Sequence, residues 1–127
     1  MKTTLRSLLC ITALMTAACV IEPDHWGTLQ VDWTIRGHVD PDLCLQAGAA
    51  TLAVDVYDSH GLVGTYDAPC RAFATSIALY PDTYSADATL LDAAGRPRST
   101  TVAIAPFRVW RDSTTAIPID FPLSSFY

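Results

Sequence analysis

The chain has 127 residues, of which 50% are hydrophobic and 17% charged. That is one domain's length with enough apolar side chain for a core, which excludes an intrinsically disordered chain. Eight basic against thirteen acidic side chains give a net charge of −5. With no basic face to neutralise phosphates, nucleic acid is not an expected partner.

The first element in chain order is a leader. Lys2 and Arg6 form a short positive region, and Leu8 to Ala18 is an uncharged, mostly apolar run. Its length suits a signal peptide; a membrane span needs about 20 apolar residues. Residues 1–18 therefore read as a signal peptide, and the chain as exported. The run closes on LMTAAC, Leu14 to Cys19. Small residues immediately before a cysteine resemble the lipobox of bacterial lipoproteins. Ala17 and Ala18 fill the small positions, and Thr16 stands where an aliphatic residue is usual. The resemblance implies cleavage before Cys19, lipid on Cys19, and an anchor in the bacterial cell envelope, at the outer membrane facing the periplasm or the surface. Cleavage followed by secretion of a soluble protein without lipid is the alternative.

Cysteine arithmetic bears on the same point. Of Cys10, Cys19, Cys44 and Cys70, the first leaves with the leader. An odd thiol is a liability in an oxidising compartment, so lipid on Cys19 would leave Cys44 and Cys70 as one possible disulfide. Free thiols at these two positions are the alternative. Without Lys2 and Arg6, six arginines face thirteen acidic side chains, a balance of −7. That charge repels anionic headgroups and suggests a body standing off the membrane. Residues 19–27 read as the lipidated N-terminus and tether, and residues 28–127 as one domain.

From Leu29 the pattern alternates with period two, the mark of half-buried strands. LQVDWTI puts Leu29, Val31, Trp33 and Ile35 on one face, and TLAVDVY does the same with Leu52, Val54 and Val56. Leu62 to Tyr66 is a weaker candidate because Gly64 interrupts it. CRAFATSIAL follows with Phe73, Ile77 and Leu79, then YSADATLL with Tyr84, Ala86, Ala88 and Leu90. Thr101 to Ala105 and Phe107 to Trp110 are two short candidates, and AIPIDF closes the series with Ile117, Ile119 and Phe121. No window carries a convincing amphipathic helix. Seven or eight short strands predict an all-β fold, a single antiparallel immunoglobulin-like sandwich. Two D-x-x-G frames, Asp58 to Gly61 and Asp92 to Gly95, predict turns in which Asp bonds its own backbone and Gly takes φ > 0.

LYPDTYSADATLLDAAG, Leu79 to Gly95, resembles the L-x-P-G-x-Y … L-x-D-x-x-G unit of transthyretin-like, carboxypeptidase-regulatory-like and Cna-B-like domains, which are exported immunoglobulin-like sandwiches. The resemblance implies that the Tyr84 hydroxyl bonds back to the preceding turn. Asp82 replaces the usual glycine and is expected to accept a left-handed backbone there. The unit implies a fold and no activity.

Candidate chemistry is sparse. His38, Asp40 and Asp42 lie close together, but HVDPD offers too few oxygen ligands for a calcium loop and reads as a polar turn. His25 falls in the tether. Ser59 and His60 are turn neighbours expected to point apart, and Asp32, Asp55 and Asp87 fall on outward phases. No metal, cofactor or catalytic set is therefore expected, and the protein is not expected to be an enzyme. Trp33 is in phase with the core. Trp110 is out of phase with Phe107 and Val109 and flanked by Arg108 and Arg111, which makes it the expected exposed aromatic and a ligand-binding candidate. The expected function is a non-enzymatic binding or structural module of the cell envelope with a protein or glycan partner. The alternative is a carbohydrate-binding module using exposed aromatics such as Trp110.

Overall fold

A computed structural model describes residues 25–127; the leader, LMTAAC and Cys19 lie outside them. Seven strands are formed: β1 (Gly27–Ile35), β2 (Thr51–Asp58), β3 (Gly61–Pro69), β4 (Ala74–Leu79), β5 (Asp82–Leu91), β6 (Val102–Val109) and β7 (Thr114–Phe121). A short helix, α1 (Pro41–Ala47), joins β1 to β2, and single 3₁₀ turns occupy Cys70–Ala72 and Leu123–Ser125. The strands make a three-stranded sheet in the order β4-β1-β7 and a four-stranded sheet in the order β3-β2-β5-β6. The fold is an all-β sandwich.

Strict alternation explains the core. Leu29, Val31, Trp33 and Ile35 of β1 are all buried, as are Leu52, Val54 and Val56 of β2 and Tyr84, Ala86, Ala88 and Leu90 of β5. Ile77, Leu79, Ile104, Val109 and Phe121 complete the layer between the sheets. Each large aliphatic or aromatic side chain removed from water contributes about 1.5–3 kcal/mol, so the inward phase outweighs any local preference. β1 is central in its sheet, antiparallel to β4 and parallel to β7, so the sandwich is not wholly antiparallel as expected: β7 returns beside β1 in the same direction after the chain has crossed the other sheet. Pro118 lies on β7 and Pro106 on β6, both edge strands, where a missing N–H breaks no ladder.

Several boundaries differ from the sequence reading. HVDPD does not form a loop throughout: Pro41 begins α1. Asp40 caps the helix by accepting from the Asp42 N–H at 3.0 Å, Pro41 takes the first turn, and Gly48 ends it in the left-handed region. Seven residues are too few to display a helical period, so only the caps signalled it. Cys70 to Ala72 form a 3₁₀ turn, and the strand begins at Ala74 once Phe73 turns the chain at φ 56°. The two candidates at Thr101 to Ala105 and Phe107 to Trp110 merge into one strand, β6 (Val102–Val109), with Thr101 and Trp110 just outside it. The weak candidate at Leu62 is a full strand. The β2–β3 register slips between Val56 and Tyr57, and the Tyr66 ring covers Gly64.

The turns behave as their chemistry requires. Asp58 accepts from the His60 N–H at 2.7 Å, and Asp92 from the Ala94 and Arg96 N–H groups at 2.9 and 2.8 Å. Gly61 and Gly95 both have positive φ. The Tyr84 hydroxyl donates to the Tyr80 carbonyl at 2.6 Å, tying β5 back to the β4–β5 turn. Asp82 is not left-handed; among the described residues the non-glycine residues with positive φ are Arg36, Phe73 and Asp112. Its carboxylate instead accepts the Thr83 N–H at 2.7 Å.

Candidate functional site

Strand directions divide the sandwich surface into two ends. β1, β5 and β7 start at one end and β4 and β6 finish there; the chain enters at this end through His25 and Trp26. At the other end lie α1, the Cys70–Ala72 turn, the β5–β6 connection and the C-terminal turn.

The far end is built around a disulfide. Cys44 of α1 is bonded to Cys70, with Cα atoms 6.1 Å apart and 26 residues between them in sequence. Both are buried. The Trp33 indole donates to the Cys70 carbonyl at 2.9 Å, so a core tryptophan fixes the turn that carries the bond. Beside it is a cleft of about 200 Å³ lined by Arg36, Leu43, Ala47, Arg98, Phe126 and Tyr127, among others. Arg98 is half-buried and donates through Nε to the Ala47 carbonyl at 3.0 Å. Arg36 sits in a two-residue turn with Gly37, at φ 55° and 79°, closed by reciprocal bonds between Ile35 and His38. Among the described residues neither arginine is within 4 Å of an acidic group; the ion pairs formed are His60–Asp58 and Arg96–Asp92. Two guanidinium groups on an apolar-walled cleft can accept a small carboxylate or phosphate group.

The entry end is aromatic. Trp26 stacks on Tyr80 with ring centroids 3.9 Å apart and planes inclined by 20°. Trp110 is 59% exposed, with the Arg108 guanidinium 4.8 Å from its ring centroid. Backbone contacts hold these residues together. The Asp112 N–H donates to the Trp26 carbonyl at 3.1 Å, and Thr28 N–H to the Ser113 carbonyl at 2.9 Å. Gly27 packs so closely on the β6–β7 turn that a Cβ there would run into the Trp110 carbonyl and the Val109 side chain. The exposed Leu62 and Val63, just after the β2–β3 turn, lie at this end of the second sheet. The sequence reading found Trp110 by its phase and did not weigh Tyr80. The same signal was available, since Tyr80 is out of phase with Ile77 and Leu79.

Several of the remaining polar residues have structural partners. Asp55 accepts from Thr65 at 2.6 Å, and Asp120 from Thr34 at 2.6 Å and the Gly37 N–H at 2.8 Å. Buried Ser99 accepts from the Leu90 N–H and donates to the Thr100 carbonyl, and Ser125 donates to the Pro122 carbonyl. His38, Asp40 and Asp42 are exposed and do not converge, and among the described residues no three potential metal ligands are grouped. Ser59 and His60 do not point apart as expected: Ser59 Oγ lies 3.3 Å from His60 Nδ1 because the turn curls. Asp58 approaches the same ring nitrogen at 3.9 Å. A relay needs acid and nucleophile on opposite nitrogens, so this exposed cluster is no triad. Asp92 is held below the usual carboxylate range, chiefly by the backbone N–H of Arg96. Tyr84 is pushed up by burial and then by Asp82, and Tyr57 by desolvation and then by Asp55 and Asp87. Comparison with protein-family models, with curated proteins and with solved structures gives no match.

Proposed function

We propose that this chain is an exported bacterial lipoprotein, held in the cell envelope by lipid on Cys19, whose sandwich is a non-enzymatic binding or structural module. One observation carries the reading: Cys44 and Cys70 are bonded to each other. With Cys10 leaving with the leader and Cys44 paired with Cys70, Cys19 is the cysteine left over in the count, and it directly follows Ala17 and Ala18. The structural engagement of five carboxylates supports a non-enzymatic role. Asp40 caps a helix, Asp58 and Asp92 hold turns, and Asp55 and Asp120 bond hydroxyls on neighbouring strands.

The body reads as one of the transthyretin-like, carboxypeptidase-regulatory-like and Cna-B-like sandwiches of the resemblance. The Tyr84 to Tyr80 bond supports this. Strand order departs from that of immunoglobulin constant domains, which group the first, second, fifth and fourth strands in one sheet; here β1 joins β4 and β7. Metabolic labelling with a fatty-acid analogue and cell fractionation test the anchor. Label and membrane association are expected for the wild type and neither for Cys19→Ala. An unlabelled wild-type protein overturns the reading. A second reading, recognition of envelope glycan, is favoured by the exposure of Trp110. It predicts retention of the protein on insoluble envelope glycan, lost in Trp110→Ser.

A further inference from the structure

We infer that the entry end of the sandwich is a membrane-seating surface. Trp26, Tyr80 and Trp110, with Arg108 and Arg111 beside them, rest in the headgroup layer of the bilayer that holds the Cys19 lipid. The inference rests on the lipoprotein reading and adds an orientation and a second contact to it.

Length makes the first argument. Seven residue steps separate Cys19 from Trp26, so the tether reaches at most about 25 Å even when fully extended. β1 alone is nine residues long, about 30 Å at roughly 3.3 Å per residue. A chain rooted at the entry end is thus too short to run back along the body and bring the opposite end to the surface. The end that carries the aromatics is the end the lipid holds near the membrane.

Chemistry makes the second. Trp and Tyr combine an apolar ring with a polar handle and concentrate at membrane–water interfaces. Three of them project from this one end, all substantially exposed: Trp26 at 42%, Tyr80 at 62% and Trp110 at 59%. The Arg108 guanidinium lies over the Trp110 ring, 4.8 Å from its centroid, and one of its nitrogens donates to the Thr83 hydroxyl at 3.4 Å; its remaining N–H groups can meet a lipid phosphate. Asp58, Asp82 and Asp112 share this end and offset Arg108 and Arg111. Ring burial, not net charge, therefore provides the attachment, and the contact survives salt that screens charges over about a nanometre. The overall balance of −7 suggested a body held off the surface; the local composition of this end differs from that average. Seated this way, the Arg36–Arg98 cleft faces away from the bilayer.

The experiment uses the lipid-modified full-length protein in phosphatidylethanolamine–phosphatidylcholine vesicles containing lipids brominated near the headgroup. Tryptophan emission is recorded at low and high salt. Strong quenching is expected, persisting at high salt and abolished when Trp26 and Trp110 are both changed to Ser, because Trp33 is sealed in the core. A variant with about twenty Gly and Ser residues inserted after Val20, a flexible coil, should remain quenched if the surface seats itself. Quenching that vanishes with the longer tether means proximity only, and overturns the inference. Absent quenching on a protein that carries fatty-acid label overturns the seat and leaves the anchor standing. Absent label overturns both. Trp110-dependent retention on envelope glycan without quenching assigns the aromatics to a sugar instead.

Discussion

Replacing Cys44 and Cys70 together with Ala tests how far the far end depends on its cross-link. The bond spans 26 residues. In the chain-entropy treatment, closing a loop of that length in the unfolded state contributes about 3.5 kcal/mol of stability. Both sulfurs are also buried, so their removal leaves small unfilled spaces, of order 1 kcal/mol together. The expected loss is then about 3.5–4.5 kcal/mol, a large part of the roughly 5–15 kcal/mol typical of a domain. A drop in Tm of about 15 °C or more follows, at roughly 4–8 °C per kcal/mol. The folded state should survive. The Cys70 backbone N–H donates to the Ala50 carbonyl at 2.9 Å and its carbonyl accepts from Trp33, neither through sulfur. Urea and thermal unfolding of the lipid-free mature protein, followed by circular dichroism, measure the loss. Near-ultraviolet signals from Trp33 report whether the core is unchanged. Because the cross-link acts on the unfolded chain, the urea m-value should rise as that chain expands. A loss below about 1 kcal/mol with an unchanged m-value would refute the loop-closure reasoning.

Arg36→Asn should stabilise the protein by about 1 kcal/mol, because Asn-Gly suits two consecutive left-handed residues and arginine does not; a lowered Tm contradicts this reading of the turn. Tyr84→Phe should lose about 1 kcal/mol, the net worth of an ordinary hydrogen bond, with the core otherwise unchanged; a loss under a few tenths in urea unfolding means the bond to Tyr80 contributes nothing. Asp92 gives a pH test. Its folded pKa lies below the ordinary 3.8, so its contribution is complete above that value and disappears as pH falls through the folded pKa. Asp92→Asn should therefore flatten stability against pH in the acid range below about 4 and leave the slope near neutrality unchanged, as read from melts across pH.

What one stretch of chain decides about itself was legible without a structure. The alternation of Leu29, Val31, Trp33 and Ile35 follows from the two-residue repeat of a strand, and all four are buried. The D-x-x-G turns follow from short-range bonds between Asp and its own backbone, and these bonds form. The pairing of Cys44 with Cys70 was one of two possibilities left by counting cysteines, and the structure supplies it. Alternation tells which face a residue occupies but not which strand lies beside it. Hence the position of β1 between β4 and a parallel β7, 86 residues apart at Thr28 and Thr114 by the strand register, was decided only by packing across the whole sandwich. The same limit hid α1, too short for a period and stabilised by its caps and by Cys44. It also hid the meeting of Trp26, Tyr80 and Trp110. Each is exposed by its own local phase, but they come together because Gly27 lets β1 press against the β6–β7 turn while Leu79 pairs with Gly27 across the sheet. That convergence belongs to contacts distant in sequence, where no local pattern reaches.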